Sequence, residues 1–149
     1  GIRVPLIVKW PGVVKPGSSN DTPITSTDIF PTIVRAAGQS LPADRELDGL
    51  DLKPVLMGGS LDREALFWHF PHYRHAPGPY SIIRLGEWKL IKWYEGPRAL
   101  FNLKDDLGET ENVVEAMPEK AVELERRLTE HLNEIGAKIP QAPAPPNGS

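Results

Sequence analysis

Residues 67–95, FWHFPHYRHAPGPYSIIRLGEWKLIKWYE, limit what this chain can fold into more than any other stretch. Two strand-length runs, IIRL and WKLIKWY, are parted only by Gly86-Glu87, and a two-residue link led by glycine fits an antiparallel hairpin. The same 29 residues hold three of the four Trp, all three Tyr and three of the four His, so aromatic and imidazole groups crowd ahead of that hairpin. Such a segment predicts a ligand-facing wall on a small sheet.

The hairpin has neighbours. ALFWHF precedes it and ALFNL follows it, with Gly78, Gly86 and Gly96 in the intervening turns. About four antiparallel strands are therefore expected. Pro118, tolerated in the first helical turn, opens a helix over 118–135, in which Ala121, Leu124, Leu128, Leu132 and Ile135 recur at spacings of three and four. That apolar stripe predicts a helix laid across the sheet. Glu119, Glu123, Glu125, Arg126, Arg127 and Glu130 form its solvated side, and His131 reads as a surface residue. The final PQAPAPPNGS, residues 140–149, has the composition of a disordered tail.

The first 60 residues read differently. Residues 4–10, VPLIVKW, are almost continuously apolar and are stopped by Pro11-Gly12, the pattern of a strand buried on both faces in a parallel sheet. No other segment offers that strand a matching set of neighbours. The expectation is a piece of a larger α/β domain, which would self-associate in isolation. A helix follows over 27–37, capped by Ser26, Thr27 or Asp28, with Pro31 in its first turn and an apolar face of Ile29, Phe30, Ile33, Val34 and Ala37. A short helix over 51–57 ends at Gly58-Gly59. The organisation expected is thus α/β in residues 1–60, a sheet-plus-helix subdomain in 61–139 and a tail in 140–149; taken alone, the fragment is α+β.

Charge and cysteine content remove several functions. The formal net charge of −3 favours neither nucleic acid nor an anionic membrane, and no apolar run reaches the roughly 18 residues of a membrane helix. With no cysteine, the chain holds no disulfide, thiolate metal site or cysteine nucleophile.

Six pieces stand in a telling order: GIRVPLIVKWPG, TSTDIFPTIVRAAG, LDGLDLKPVL, the FWHFPHY segment, RLGEWKLI and ALFNLKDDLGETENV. In order and spacing they resemble the C-terminal part of the formylglycine-dependent (type I) sulfatases, of the alkaline-phosphatase-like superfamily, and among these the arylsulfatase-like members that act on sulfated sugars. Leu107 departs from the family's usual proline, which alters a turn and no chemistry. The resemblance implies a parent enzyme that hydrolyses sulfate esters of a sugar or an aryl group. It also implies a formylglycine made in a Cys/Ser-x-Pro-x-Arg motif, a divalent cation, usually calcium, held by Asp-Asp and Asp-Asn pairs, and export to the periplasm or outside. None of that machinery is here. No Ser-x-Pro-x-Arg occurs, and the single Asp-Asp, Asp105-Asp106, lies far from the family's metal position. This chain is expected to bind no cofactor, to carry no catalytic residue and to be inactive alone. Its expected partners are the upstream catalytic portion and the substrate.

The residues left to touch a substrate are His69, His72, Tyr73 and Arg74. Imidazole and phenol groups bond sugar hydroxyls, and a guanidinium pairs with an anion. His69, His72 and His75 also form an H-x-x-H-x-x-H series, but Pro71 and Pro77 break any single helix that could gather them on zinc. The plainer alternative is a packed loop whose imidazoles bond to backbone. Arg3 reads as a structural ion pair or an approach to the anionic site. Asp105, Asp106, Glu109 and Glu111 lack the spacing of a calcium loop and read as a solvated turn. Trp88 and Trp93 fall on opposite strand faces, at least one in the core. Two other functions stay open: a non-catalytic binding module derived from this fold, and part of a related phosphodiesterase.

Overall fold

The computed structural model describes residues 2–74 and 76–141, so His75 and most of the proline-rich tail lie outside the described residues. The chain divides into two compact units, Gly1–Arg63 and Glu64–Ser149.

The first unit is built around one carboxylate. A 3-10 turn, Ser26–Asp28, runs into helix α1 (Ile29–Ala36), and a one-turn helix α2 (Lys53–Leu56) follows. Asp28 is wholly buried. Its Oδ2 accepts the Thr25 N–H (2.8 Å) and Arg63 Nη1 (2.9 Å), while Oδ1 accepts the Leu50 N–H (2.9 Å) and Arg63 Nη2. A carboxylate has about four acceptor sites, and all are filled. Burial pushes the Asp28 carboxyl up, but the Arg63 guanidinium and the Thr25 and Leu50 N–H groups outweigh it and hold the group below its ordinary 3.8. One turn on, Thr32 donates its hydroxyl to the Asp28 carbonyl (2.6 Å) and accepts the Leu52 N–H (2.9 Å). The segment around Leu50 thus lies flat against the start of α1. Gly49 permits it: a Cβ there would sit 2.0 Å from the Thr27 carbonyl oxygen.

One expectation for this unit needs correction. Residues 4–10 form no strand. A strand needs a hydrogen-bonded neighbour, and the four strands of the described residues pair only with one another. Ile7 is 93% exposed and Val4 78%. Ile29, Phe30 and Ile33, on the apolar side of α1, are exposed, and Asp28 and Pro31 occupy the buried side.

The second unit is a meander, β1 (Ala65–Phe70), β2 (Tyr80–Leu85), β3 (Trp88–Trp93) and β4 (Arg98–Asn102), followed by helix α3 (Pro118–Glu134). Each strand is antiparallel to the next, in the order β1-β2-β3-β4. Leu85 pairs with Trp88, so Gly86-Glu87 is a two-residue link, and Gly86 takes φ 57° at its first position, where an L side chain is disfavoured. The register sets Phe67, Ile83, Leu90 and Leu100 side by side in one row. Ile83, Leu90 and Leu100 are fully buried against Ala121, Leu124, Leu128 and Leu132 of α3, with Phe67 packed at the margin. Ala99, Phe101 and Leu103 form a second cluster, on the opposite face. Trp88 packs on the first cluster and Trp93 on the second.

Glu109 is no solvated turn residue. It adopts φ 57° and pairs at 2.5 Å with Lys89, whose side chain is buried. Asp106 closes the same turn by accepting the Thr110 and Glu111 N–H groups at 3.1 and 2.8 Å.

Asp28→Asn should cost about 3–5 kcal/mol of unfolding free energy, since it removes one partner of a buried ion pair and leaves Arg63 unpaired. Denaturant unfolding of the variant beside the parent chain measures this. The depressed Asp28 carboxyl stabilises above pH 3.8 and ceases to do so as pH falls through its lowered value, so acid should close the gap between the two proteins. Ile7→Lys should reduce self-association of the isolated chain, read by sedimentation velocity, because it places a charge in an exposed apolar run. An unchanged distribution of species would remove residues 4–10 from the associating surface.

Candidate functional site

Two connections share one end of the sheet, β1 to β2 and β3 to β4, because the strands form an antiparallel meander. The residues singled out from sequence lie on the first of these or just before it. His72, Tyr73 and Arg74 follow β1 directly and are all exposed. His69 lies within β1.

His69 occupies a polar row two residues along from the packed one: His69, Ser81, Lys92 and Arg98 stand side by side in register. Alternation puts this row on the same face as Ile83 and Leu90, toward α3. Lys92 and Arg98 both pair with Glu125 of α3, at 2.8 and 2.6 Å. The His69 ring is engaged at both nitrogens. Nε2 lies 3.0 Å from the Lys138 carbonyl oxygen and Nδ1 lies 2.8 Å from Ser81 Oγ, which in turn lies 2.8 Å from the Tyr94 hydroxyl. A carbonyl only accepts, so Nε2 carries the hydrogen in that bond, and Nδ1 meets the Ser81 hydroxyl. Ser81 is fully buried. The network fastens the segment after α3 to the sheet and leaves neither ring nitrogen of His69 open to a ligand.

The outer residues are held more loosely. The His72 ring meets Phe70 edge-on, centroids 5.1 Å apart, and Phe70 stacks on Tyr80 at 5.4 Å. The Tyr73 hydroxyl donates at 2.5 Å to the Glu95 carboxylate, on the connection from β3 to β4. The Glu95 hydrogen bond pushes the Tyr73 phenol up to about 12 from its ordinary 10.0, with desolvation and the Glu95 charge adding to the effect. The bond stabilises fully below pH 10.0, and its contribution falls as pH rises through about 12. Arg74 makes no ion pair among the described residues.

The structure brings His72, Tyr73 and Arg74 together on one exposed connection and turns His69 away into the helix-side network. Ser81, Tyr94 and Glu95 complete the arrangement, and sequence reasoning did not name them. The register that pairs His69 with Ser81 spans a nine-residue connection, which no short turn signal fixes. A concavity of about 860 Å³ lies between β1 and α3, where His131 stacks on Phe67 with centroids 3.8 Å apart. His131 is therefore a packed residue, in contrast to its expected surface role.

The donors present do not fit a sulfatase cation or nucleophile. Asp106 spends both oxygens on its own turn, Asp105 accepts from Asn102 at 2.7 Å, and Glu109 faces Lys89. Among the described residues no group of three His, Asp or Glu side chains is placed to hold a metal ion.

The family profile of N-sulphoglucosamine sulphohydrolase, C-terminal, matches residues 1–138. A sulfatase of Formosa agariphila is 40% identical over 131 residues, which span 79% of this chain and 24% of that protein. The structure of BT4656 in complex with its substrate D-glucosamine-2-N,6-O-disulfate superposes with a TM-score of 0.75 at 26% identity, over 93% of this chain and 30% of that one. A phosphonate monoester hydrolase from Silicibacter pomeroyi superposes with a TM-score of 0.66 at 26% identity, over 85% of this chain and 28% of that one. The chain spans about a quarter of the length of the sulfatase it matches. The match over nearly every residue, the four-stranded sheet and its covering helix lead to one assignment: the chain belongs to the N-sulphoglucosamine sulphohydrolase C-terminal family, the C-terminal part of a sulfatase.

Proposed function

We propose that this chain serves a sulfatase that hydrolyses sulfate esters of a sugar, and that it forms a wall of substrate access while other residues carry the nucleophile and the cation. The observation that carries this reading is the exposed row His72, Tyr73, Arg74 at one end of a rigid sheet. Imidazole, phenol ring and guanidinium suit a ligand that is both hydroxylated and anionic. The similarity to BT4656, solved with a disulfated glucosamine, supports a sugar as the ligand class. In this reading His69 anchors the strand from which the row extends. The upstream catalytic portion is the partner, with formylglycine and calcium as its expected equipment and an exported location as its setting. Among the described residues no cluster is placed to hold the cation.

A second reading has a specific observation behind it. The similarity to a phosphonate monoester hydrolase would fit a parent acting on phosphorus esters. The 40% identity to a sulfatase favours sulfate. A purely non-catalytic binding module is the third alternative, and finding no hydrolysis by the full-length protein would select it.

In the full-length enzyme, His72→Ala and Arg74→Ala should each lower kcat/KM on a sulfated glucosamine by roughly tenfold, with a smaller loss on a small aryl sulfate. Equal losses on both substrates would assign these residues to packing. His69→Ala should act through stability: it leaves the Lys138 carbonyl without its imidazole partner and buried Ser81 with Tyr94 alone, at a cost of about 1–3 kcal/mol, measured by thermal unfolding.

A further inference from the structure

The connection from β1 to β2 is long, yet the neighbouring connection from β3 to β4 ties it down twice. The Tyr94 N–H donates to the Pro79 carbonyl at 3.0 Å, bracing the far end where the chain enters β2. The Tyr73 hydroxyl donates to Glu95 Oε1 at 2.5 Å, bracing the near end. Tyr94 and Glu95 are consecutive, so a single short turn grips both ends of the segment. Tyr73 is 45% exposed, and the described ring contact of His72 is edge-on against Phe70. Tyr73 is flanked by His72 and Arg74 in sequence, so a fixed Tyr73 fixes the backbone that carries both.

We propose that Glu95 is a positioning residue for substrate recognition: by holding the Tyr73 hydroxyl it sets the placement of His72 and Arg74 before a sulfated sugar arrives. The inference rests on the reading of the His72–Arg74 row as the recognition surface. Glu95 does not itself touch the anionic ligand. A carboxylate aimed at a sulfate would repel it, whereas one occupied by a phenol hydroxyl leaves Arg74 as the nearby group suited to an anion. Preorganisation of this kind strengthens binding by removing the ordering cost of a loose segment.

Glu95→Ala and Glu95→Gln in the full-length enzyme test the proposal through two independent readouts. The first is tyrosine ionisation followed by ultraviolet absorbance, supported by Tyr73→Phe to identify the signal. The parent protein should show one phenol titrating at about 12, and Glu95→Ala should return it toward 10.0. The second is steady-state kinetics on a sulfated glucosamine. There Glu95→Ala should raise KM roughly tenfold with a smaller change in kcat, and Glu95→Gln, which still accepts the phenol hydrogen bond, should recover most of that loss. A Tyr73 titration unchanged in Glu95→Ala would overturn the proposal, because the bond would then be absent in solution. So would a shifted titration with unaltered KM. If Arg74→Ala raises KM while Glu95→Ala does not, only the positioning role fails. If neither raises it, the recognition surface fails as well.

Discussion

The second unit depends on one contact: the row Phe67, Ile83, Leu90 and Leu100 pressed against the apolar stripe of α3. Side chains alternate along a strand, so seating this row under the helix determines everything two residues away on the same face. That next row is His69, Ser81, Lys92 and Arg98. A one-residue slip in β2 or β3 would turn neighbours such as Arg84 or Lys89 toward the helix and carry Ile83 or Leu90 to the opposite face. The hydrophobic packing thereby sets which imidazole meets which hydroxyl, and which cations meet Glu125. The polar network is a consequence of the apolar one.

The same dependence explains what was legible in the sequence. The hairpin at Gly86-Glu87 and the stripe Ala121, Leu124, Leu128, Leu132 are local periodic signals, and both elements stand where those signals lie. The helix over α1 was legible as a helix with its apolar side, and what meets that side was not. Amphipathicity shows which face is apolar and says nothing of what meets it, and here Asp28 and Pro31 take the buried side. Residues 4–10 have the composition of a buried strand and lack a partner among the described residues. The site was half readable. His72, Tyr73 and Arg74 share an exposed connection, but the Glu95 hydrogen bond spans 22 residues and the His69–Ser81 pairing depends on a register that no turn rule fixes.

The two units solve the same problem by opposite means. The first has little apolar packing and relies on a saturated carboxylate, with Asp28 joining Thr25, Leu50 and Arg63 at a single point. Such a clamp tolerates no substitution that leaves a buried charge unmatched. The second relies on area, and its ion pairs Lys92–Glu125 and Arg98–Glu125 trim the edge of an already packed face. Rigid elements of this kind suit a recognition surface, which gains affinity when its groups are held in place beforehand. They do not create chemistry. Asp28, Asp106, Glu109 and Glu125 are all spent on turns and ion pairs, and in the proposed reading hydrolysis comes from residues outside this chain.

That division of labour is the central claim, and peptide mapping of the natural full-length protein by mass spectrometry tests it most directly. The account predicts a peptide containing Cys/Ser-x-Pro-x-Arg, outside these 149 residues, in which the Cys or Ser has been converted to formylglycine. Full sequence coverage with no such motif would contradict it.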